Sequence, residues 1–557
     1  MNPAQPRPIP CARPGRLVAF LLCCVFLAPV ALGAKPPPKA AVEGEFGAPV
    51  TLSPIEVTAQ SMEFNHWLRL TSPHFIVYTD GGAKEAALIV KHLEMVHQAA
   101  QFFMRRRSLN LPAMIVVLPT ARSDWRKIGS RGRVKWQVAT SLTGSARQLL
   151  LVEYDWQTDG LYSVYAMVGI HEVHGMNLVG PLWFTRGICS FFRTVTFEGD
   201  MLTIGKQGPD AFWIHEHGWM PWPKFFRINT SSPEFVQDTD EHNRYEGQCG
   251  VFAHYLLTNP DKACTERLLT WTAYLNAGNE PTEQSFKDVF QADWKGWEER
   301  LNQMLDGGSY TTGQIRFPPA ALQFTVVTDQ PAPRELRELF VLSQVLNQNT
   351  KESRATLDAV LQRGLKTDAL REILADACAR RENEDAALTE LRAIISAGSS
   401  NPVVYADAAD ILFRRRVAKI TVESRLGDEA DEIRQWCNRA CELEPLHLEA
   451  NELLAWAEAF APVMEPRNLE AIARICRRLD GNAPTDNALA ALAVARRRSA
   501  KAKSAQALAE QINASVFSGR TAKSIAAQIL AQATSPAETA PTPPAAAART
   551  PPAPPAH

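Results

Sequence analysis

Several common signatures of catalysis are missing from this 557-residue sequence. It contains no phosphate-binding loop, no GxGxxG pattern after a strand and no GxSxG pattern. No two cysteines are separated by two residues, so a cysteine zinc site of the usual spacing is not indicated. The formal net charge is -1, and so no global field attracts nucleic acid or an anionic membrane. We therefore expect no nucleic-acid partner.

Long apolar runs are also absent, except near the start of the chain. Basic residues come first, an almost wholly apolar run follows from Leu17 to Leu32, and small residues surround Gly33. This order is typical of a secretory signal peptide, so we expect cleavage after Gly33 and no membrane span afterwards. A retained anchor is the alternative, although Pro29 interrupts the run. We predict export to the periplasm, the cell envelope or the medium.

The next part of the chain has the pattern of a mixed α and β domain. Residues 34–60 are rich in proline, alanine and glycine and are typical of a linker. Alternating or continuous apolar residues predict strands at His74–Asp80, Ala113–Thr120 and Leu149–Asp155. Helical spacing between the first two strands favours an α/β or α+β layer. Helical segments then continue, and we place this domain at 61–308.

The second half of the chain is helical by composition and spacing. Residues 309–334 are extended and proline-bearing, so we interpret them as a linker. Asn401–Phe413 is similar to Glu444–Phe460, and each follows another helix and a turn. These segments resemble tetratricopeptide helix pairs, with a non-repeating helical bundle as the alternative. We predict a tetratricopeptide-like helical domain, a helical extension and a disordered Pro/Ala-rich tail at 335–513, 514–534 and 535–557.

One stretch, Tyr165–Phe192, carries the most informative pattern: YAMVGIHEVHGMNLVGPLWFTRGICSFF. It resembles the zinc-binding core of the peptidase MA-like proteins, among the gluzincin metallopeptidases, which read HExxH, a Pro and then W-x-x-E-G. Further landmarks of that family have counterparts, in the same order, in Trp67–Asp80, Tyr245–Pro260 and Ala277–Leu305. The resemblance covers roughly 61–308. It implies an α+β metallopeptidase-like (gluzincin-type) domain with a zinc held by two histidines and a glutamate.

The sequence departs from that motif at two ligand positions. In an intact HExxH helix the two histidines lie about 40° apart, and the glutamate is the general base on the zinc-bound water. His171 and Glu172 match the first two positions, but Gly175 stands where the second histidine is expected. Arg186 stands at the position of the ligating glutamate, and an obligate cation cannot bind zinc. We therefore expect a pseudoenzyme without a cofactor, with His171 and Glu172 as residual ligand and base positions.

Two interpretations of this departure compete. His174 could replace the missing ligand, which would give an active zinc metallopeptidase using His171, His174 and an unidentified third group. His174 lies about 60° from His171 on the side away from Glu172, so the general base would be misplaced. The other interpretation is structural. A buried ion pair between Glu172 and Arg186 would fill the former zinc cavity, because a buried unpaired carboxylate is costly.

Three weaker patterns lie nearby. His215 and His217 could bind a metal from one face of a strand, or could belong to an exposed loop. Cys189 and Cys249 could act with a histidine as nucleophiles, or could be buried thiols. A group of aromatic residues could line a cleft for a peptide or glycan, or could be core: Trp213, Trp219, Trp222, Phe225 and Phe226.

Together these patterns predict an exported, non-catalytic metallopeptidase-like protein with helical repeats. Stacked helix pairs form concave binding surfaces, so we expect the repeats to hold a protein partner in the cell envelope. A purely structural part of a larger assembly is a further interpretation.

Export predicts where the mature chain begins. Protein purified from its own host should start near Ala34, because the signal peptidase cleaves after the small residues that close the apolar run. N-terminal sequencing measures this directly. An intact Met1, or recovery from the cytosol only, would contradict export.

Overall fold

The computed structural model describes most of the chain from residue 66 to residue 534. The described ranges are 66–105, 111–120, 148–152, 160–174, 180–207, 211–236, 239–307, 310–347, 351–365, 367–379, 382–464, 469–470, 472–473 and 486–534. The predicted signal peptide, first linker and tail lie outside them. The described part is mostly helical with two small sheets. None of its helices is long and apolar enough to cross a membrane.

The larger sheet has five strands. They are β1 (Leu68–Thr71), β2 (Phe75–Thr79), β3 (Met114–Leu118), β4 (Leu149–Leu151) and β8 (Val327–Asp329). The spatial order is β4-β3-β2-β1-β8. β2, β3 and β4 run parallel, whereas β1 is antiparallel to both of its neighbours. The three strands expected from apolar patterning are confirmed, and all five residues of β3 are buried, as in a strand covered on both faces.

Helix α1 (Ala83–Met104) follows β2 and packs on the sheet. Its apolar face repeats at helical spacing and includes Ile89, Leu93, Val96 and Ala100. Glu94 and His97 are buried on the same helix. Buried polar side chains are nearly always hydrogen-bonded, so these two residues need partners on another element.

Among the described residues, nine further helices and a second sheet belong to the first domain. The helices are α2 (Gly160–His174), α3 (Leu182–Phe192), α4 (Ala211–His217), α5 (Trp222–Arg227), α6 (Pro233–Val236), α7 (Asp240–Thr258), α8 (Ala263–Asn276), α9 (Glu283–Phe290) and α10 (Trp294–Asp306). The second sheet is antiparallel and has the order β5-β6-β7. Its strands are β5 (Thr196–Glu198), β6 (Met201–Ile204) and β7 (Gly313–Arg316).

The segment 309–334, which we interpreted as a linker, contributes a strand to each sheet. β7 pairs with β6, and β8 pairs with β1. A short 3₁₀ helix, Pro319–Leu322, lies between them. Proline-bearing extended sequence is typical of linkers and of edge strands alike, and these two strands lie at sheet edges. The segment therefore belongs to the sheets as well as connecting the two halves.

The second half is a succession of packed helices. They are α11 (Pro333–Asn347), α12 (Lys351–Arg363), α13 (Asp368–Ala379), α14 (Glu384–Ser396), α15 (Pro402–Arg416), α16 (Glu429–Leu443), α17 (Leu448–Phe460), α18 (Asn487–Arg498), α19 (Ala502–Ala514) and α20 (Arg520–Thr534). From α13 to α20, each packs on the next. The two similar segments form α15 and α17, each preceded by a partner helix. Buried alanines allow close approach there, as in helix pairs.

Polar and aromatic contacts join the large sheet to the first helix of the second half. Arg69 on β1 donates hydrogen bonds to Asp329 on β8 and to Glu335 on α11. The buried Tyr78 hydroxyl also donates to Glu335, and burial together with that carboxylate raises the pKa of Tyr78. Trp67 meets Phe340 edge to face, with ring centroids 5.5 Å apart. The helices thus continue the core of the sheet.

Candidate functional site

The residual motif lies at the interface between α1 and α2. Helix α2 packs against both α1 and α3, and it places Glu172 in contact with His97. Glu172 Oε2 lies 2.6 Å from His97 Nδ1, and both side chains are buried. His171, the neighbouring residue on α2, is half-buried. Gly175 and the side chain of His174 lie outside the described residues.

The electrostatics of this contact favour a charged pair. Burial alone would lower the pKa of His97, but the Glu172 carboxylate raises it above its ordinary value. Burial alone would raise the pKa of Glu172, but His97 lowers it. His97 Nε2 also contacts the Gln101 amide at 2.8 Å, and a protonated imidazole can use the oxygen of that amide as its acceptor. Burial lowers the pKa of His171, which favours a neutral ring.

A second His–Glu pair extends the network toward the sheet. His74 Nδ1 lies 2.7 Å from Glu94 Oε2, and the Ser72 hydroxyl donates to Glu94 Oε1 at 2.7 Å. The His74 and His97 rings stack with centroids 3.8 Å apart. Burial would raise the pKa of Glu94, but the hydrogen bonds from His74 and Ser72 lower it. Ser72 and His74, within the Trp67–Asp80 segment, are therefore bonded to α1.

Arg186 is bonded elsewhere, and our prediction of a Glu172–Arg186 ion pair is wrong. Arg186 Nε lies 2.6 and 2.9 Å from the two carboxylate oxygens of Glu246 on α7. The guanidinium also lies over the Phe235 ring, 5.7 Å from its centroid. Burial would lower the pKa of Arg186, but Glu246 raises it. Each of the two charges predicted to pair is therefore neutralised by a different helix.

The packing of α3 on α7 explains this choice of partner. A Cβ on Gly187 would lie 2.7 Å from the Cys249 carbonyl oxygen and from Ala253 Cβ. Only a residue without a side chain permits such a close approach of the two helices. Arg186 is next to this glycine, so its side chain can reach Glu246, which lies three residues before Cys249 on the facing helix.

The described residues do not provide the donor set of a catalytic zinc. Such a zinc normally has three protein ligands and one water or substrate. Within the described ranges, no group of three His, Cys, Asp or Glu side chains is arranged to hold a metal ion. Glu172 is hydrogen-bonded to His97, and a cation occupies position 186.

The other sequence candidates divide between surface and core. His215 and His217 lie on α4, not on a strand or loop, and residues two apart on a helix point about 160° apart. They therefore share no ligand face. Trp222, Phe225 and Phe226 are buried, so these three aromatic side chains are core. Trp213 and Trp219 are half-exposed.

The two cysteines near Arg186 also differ in environment. Cys249 is fully buried on α7, and burial raises the pKa of its thiol well above the ordinary value. A protonated buried thiol is a poor nucleophile, so the buried-thiol interpretation holds for Cys249. Cys189 is half-buried on α3.

Sequence reasoning missed His97, Glu94 and Glu246. The available signal was a glutamate and a histidine three residues apart on the apolar face of α1, where both share one side of the helix. Such residues indicate buried partners even when those partners cannot be identified. The sequence around Glu246 gives no comparable signal. Consecutive residues of α7 around it are buried, so no single apolar face marks Glu246 as a buried residue.

The His97–Glu172 pair predicts a specific pH dependence of stability. The pKa of Glu172 is lowered on folding, so its contribution is present above its ordinary pKa of 4.5 and is lost as pH falls. The pKa of His97 is raised, so its contribution is complete below 6.5 and is lost as pH rises through the raised value. The double variant His97→Gln, Glu172→Gln should therefore differ most from the wild type at about pH 5–6.

Urea unfolding of both proteins across this pH range measures the difference. The single variant His97→Gln removes the imidazole that contacts the buried Glu172 carboxylate, and should lose about 3–5 kcal/mol of unfolding free energy at pH 6. His66→Gln is the matched control, because its side chain is 61% exposed, and it should change little. A difference between wild type and double variant that does not vary with pH would contradict the charged pair.

Comparison with known proteins does not identify a family for this chain. No protein-family model, curated protein or solved structure matches the chain. The similarity to peptidase MA-like proteins therefore rests on the sequence landmarks alone and stays a prediction.

Proposed function

We propose that this chain is an exported binding or scaffolding protein built on a metallopeptidase-like core that does not catalyse hydrolysis. The observation that carries the proposal is the bonding of Glu172 to His97. A general base must be free to accept a proton from the attacking water. A carboxylate whose pKa is lowered by a buried ion pair is poorly suited to that role. The Arg186–Glu246 pair supports the same conclusion at the third ligand position.

The proposed binding surface is the succession of helices in the second half. Stacked helix pairs give an extended surface that can hold a protein partner. Its exposed apolar side chains include Leu446 and Val463, which are 46% and 72% exposed. Near the first-domain core, the half-exposed Trp213 and Trp219 could contact a peptide or glycan through their rings. Export, inferred from the amino-terminal sequence, would place these contacts in the cell envelope.

An active zinc metallopeptidase remains the second candidate. One observation favours it: His171 is half-buried, and its lowered pKa favours the neutral form that binds metals. It would require His171, His174 and a third ligand, with a base other than the bonded Glu172.

Metal content and hydrolysis distinguish these two functions. The purified mature protein should contain no stoichiometric zinc and should hydrolyse a peptide library no faster than buffer, because the three-ligand set is incomplete. Plasma emission spectrometry and mass spectrometry of the peptides provide the measurements. His171→Ala should change neither result, and His66→Ala is its matched surface control.

One zinc per chain, lost with hydrolysis in His171→Ala but kept in His66→Ala, would establish the active peptidase instead. Zinc bound equally by the wild type and His171→Ala, without hydrolysis, would place the metal elsewhere and leave the catalytic centre inactive.

The binding role predicts where a partner can be captured. A photoreactive amino acid at Leu446 or Val463 should give a protein adduct of defined mass in the producing cells, because both side chains are exposed on the helical half. The control position is Leu88 on α1, which is 43% exposed. Immunoblotting and mass spectrometry identify the adduct. Equal adducts at all three positions, or none on the helical half, would argue against a partner on these helices.

A further inference from the structure

Two tryptophans form a stacked pair between the end of α4 and the start of α5. The rings of Trp219 and Trp222 are nearly parallel, with an interplanar angle of 13° and centroids 6.2 Å apart. Trp222 is buried, whereas Trp219 is half-exposed. Because Trp222 packs against Trp219 from the inside of the protein, the exposed surface of Trp219 lies away from Trp222. The pair therefore presents one indole to solvent on a buried aromatic support.

Helix α10 holds both indoles by their N–H groups. Trp219 Nε1 donates to Asn302 Oδ1 at 2.8 Å, and Trp222 Nε1 donates to Glu298 Oε1 at 3.0 Å. Glu298 and Asn302 lie four residues apart, on one face of the helix. Their remaining polar atoms, Glu298 Oε2 and Asn302 Nδ2, have no partner among the described residues and are accessible to solvent. We call Trp219, Glu298 and Asn302 the tryptophan platform.

The backbone that carries Trp219 is fixed by side chains of α7. Arg244 donates hydrogen bonds to the carbonyl oxygens of Gly218 and Trp219. The Gln248 amide bonds to both the N–H and the carbonyl group of Met220. Gly218 has a φ of +69°, which glycine adopts readily, and this conformation ends α4. The exposed ring is therefore held in place before any ligand binds, which lowers the entropic cost of binding.

The polar groups of the tryptophan platform select the chemistry of its ligand. Glu298 Oε2 accepts hydrogen bonds and Asn302 Nδ2 donates them, so hydroxyl groups, which do both, can bond to either. A proline segment offers acceptors only, and both indole N–H groups are already donated. Arg244 and Glu298 carry opposite charges and are bonded to the two tryptophans, so no single charge there selects an ion. These groups match a neutral ligand with several hydroxyl groups.

We propose that the tryptophan platform binds a neutral glycan whose pyranose rings carry their hydroxyl groups equatorially. The flat faces of such a ring consist of C–H groups that can stack on the Trp219 indole, and the hydroxyl groups at its edge can bond to Glu298 and Asn302. The inference rests on the proposed binding role and names the ligand class of the first domain. The helical half is tested separately by the adducts at Leu446 and Val463, so either result can fail without the other.

Cellotetraose is the probe that tests the platform, because the ring hydroxyl groups of its glucose units are equatorial. Saturation-transfer difference NMR with the purified mature protein should show binding in the millimolar range, with the strongest transfer at the axial hydrogens of one ring face. Trp219→Ala should raise the dissociation constant about tenfold, because it removes the stacking surface. Glu298→Gln should raise it about three- to tenfold, because it removes the charged acceptor. Phe102→Ala, at a phenylalanine that is 64% exposed on α1, is the matched control and should leave the constant unchanged.

Two conservative variants separate binding from folding. Trp219→Phe keeps an aromatic face and should bind cellotetraose more tightly than Trp219→Ala does. Glu298→Gln keeps an oxygen that can accept from Trp222, so it should unfold near the wild-type temperature while binding more weakly. Sorbitol, which has hydroxyl groups but no ring face, should not bind. The proposal is overturned if cellotetraose does not bind, if Trp219→Ala or Glu298→Gln binds it as tightly as Phe102→Ala does, or if tetraproline or tetralysine binds more tightly than cellotetraose.

Discussion

A charged carboxylate buried between two helices constrains the first domain more than any other group. Hydrogen bonds and nearby positive charge keep a buried carboxylate ionised, and His97 on α1, 2.6 Å from Glu172, lowers the pKa of that carboxylate. The helix that carries His97 must therefore pack on α2 in one register. The same helix carries Glu94, which binds Ser72 and His74 from the turn between β1 and β2. One polar network thus fixes α1 against both the sheet and the motif helix.

Glu172 and Arg186 bond to different residues, and this affects any attempt to build a metal site from positions 171, 175 and 186. A glutamate introduced at position 186 would lie beside Glu246, so two carboxylates would face each other where Arg186 and Glu246 now attract. Glu172 would also remain bonded to His97. Substitutions at positions 175 and 186 alone would therefore leave His97 beside Glu172 and Glu246 beside position 186. The present arrangement is therefore held by His97 and Glu246, which lie outside Tyr165–Phe192.

Local apolar patterns predicted the strands and helices, whereas the partners in the ion pairs are distant in the sequence. Strands β2, β3 and β4 and helix α1 were predictable, because each has its own apolar period. The partners of Glu172 and Arg186 lie 75 and 60 residues away, and no local period identifies them. The segment 309–334 looked like a linker because edge strands are short, extended and tolerant of proline. Its strand pairing depends on β1 and β6, which lie far earlier in the chain.

The interface between α3 and α7 has two kinds of contact at successive helical turns: an ion pair and a close glycine–serine contact. Pairs across it advance by four residues on both helices, from Arg186 and Glu246 to Ser190 and Gly250, so the helices run in the same direction. At the first step, the opposite charges of Arg186 and Glu246 meet. One turn later, the Ser190 side chain occupies the room that Gly250 leaves on the facing helix. Charge pairing and side-chain volume therefore act at successive turns of one helix interface.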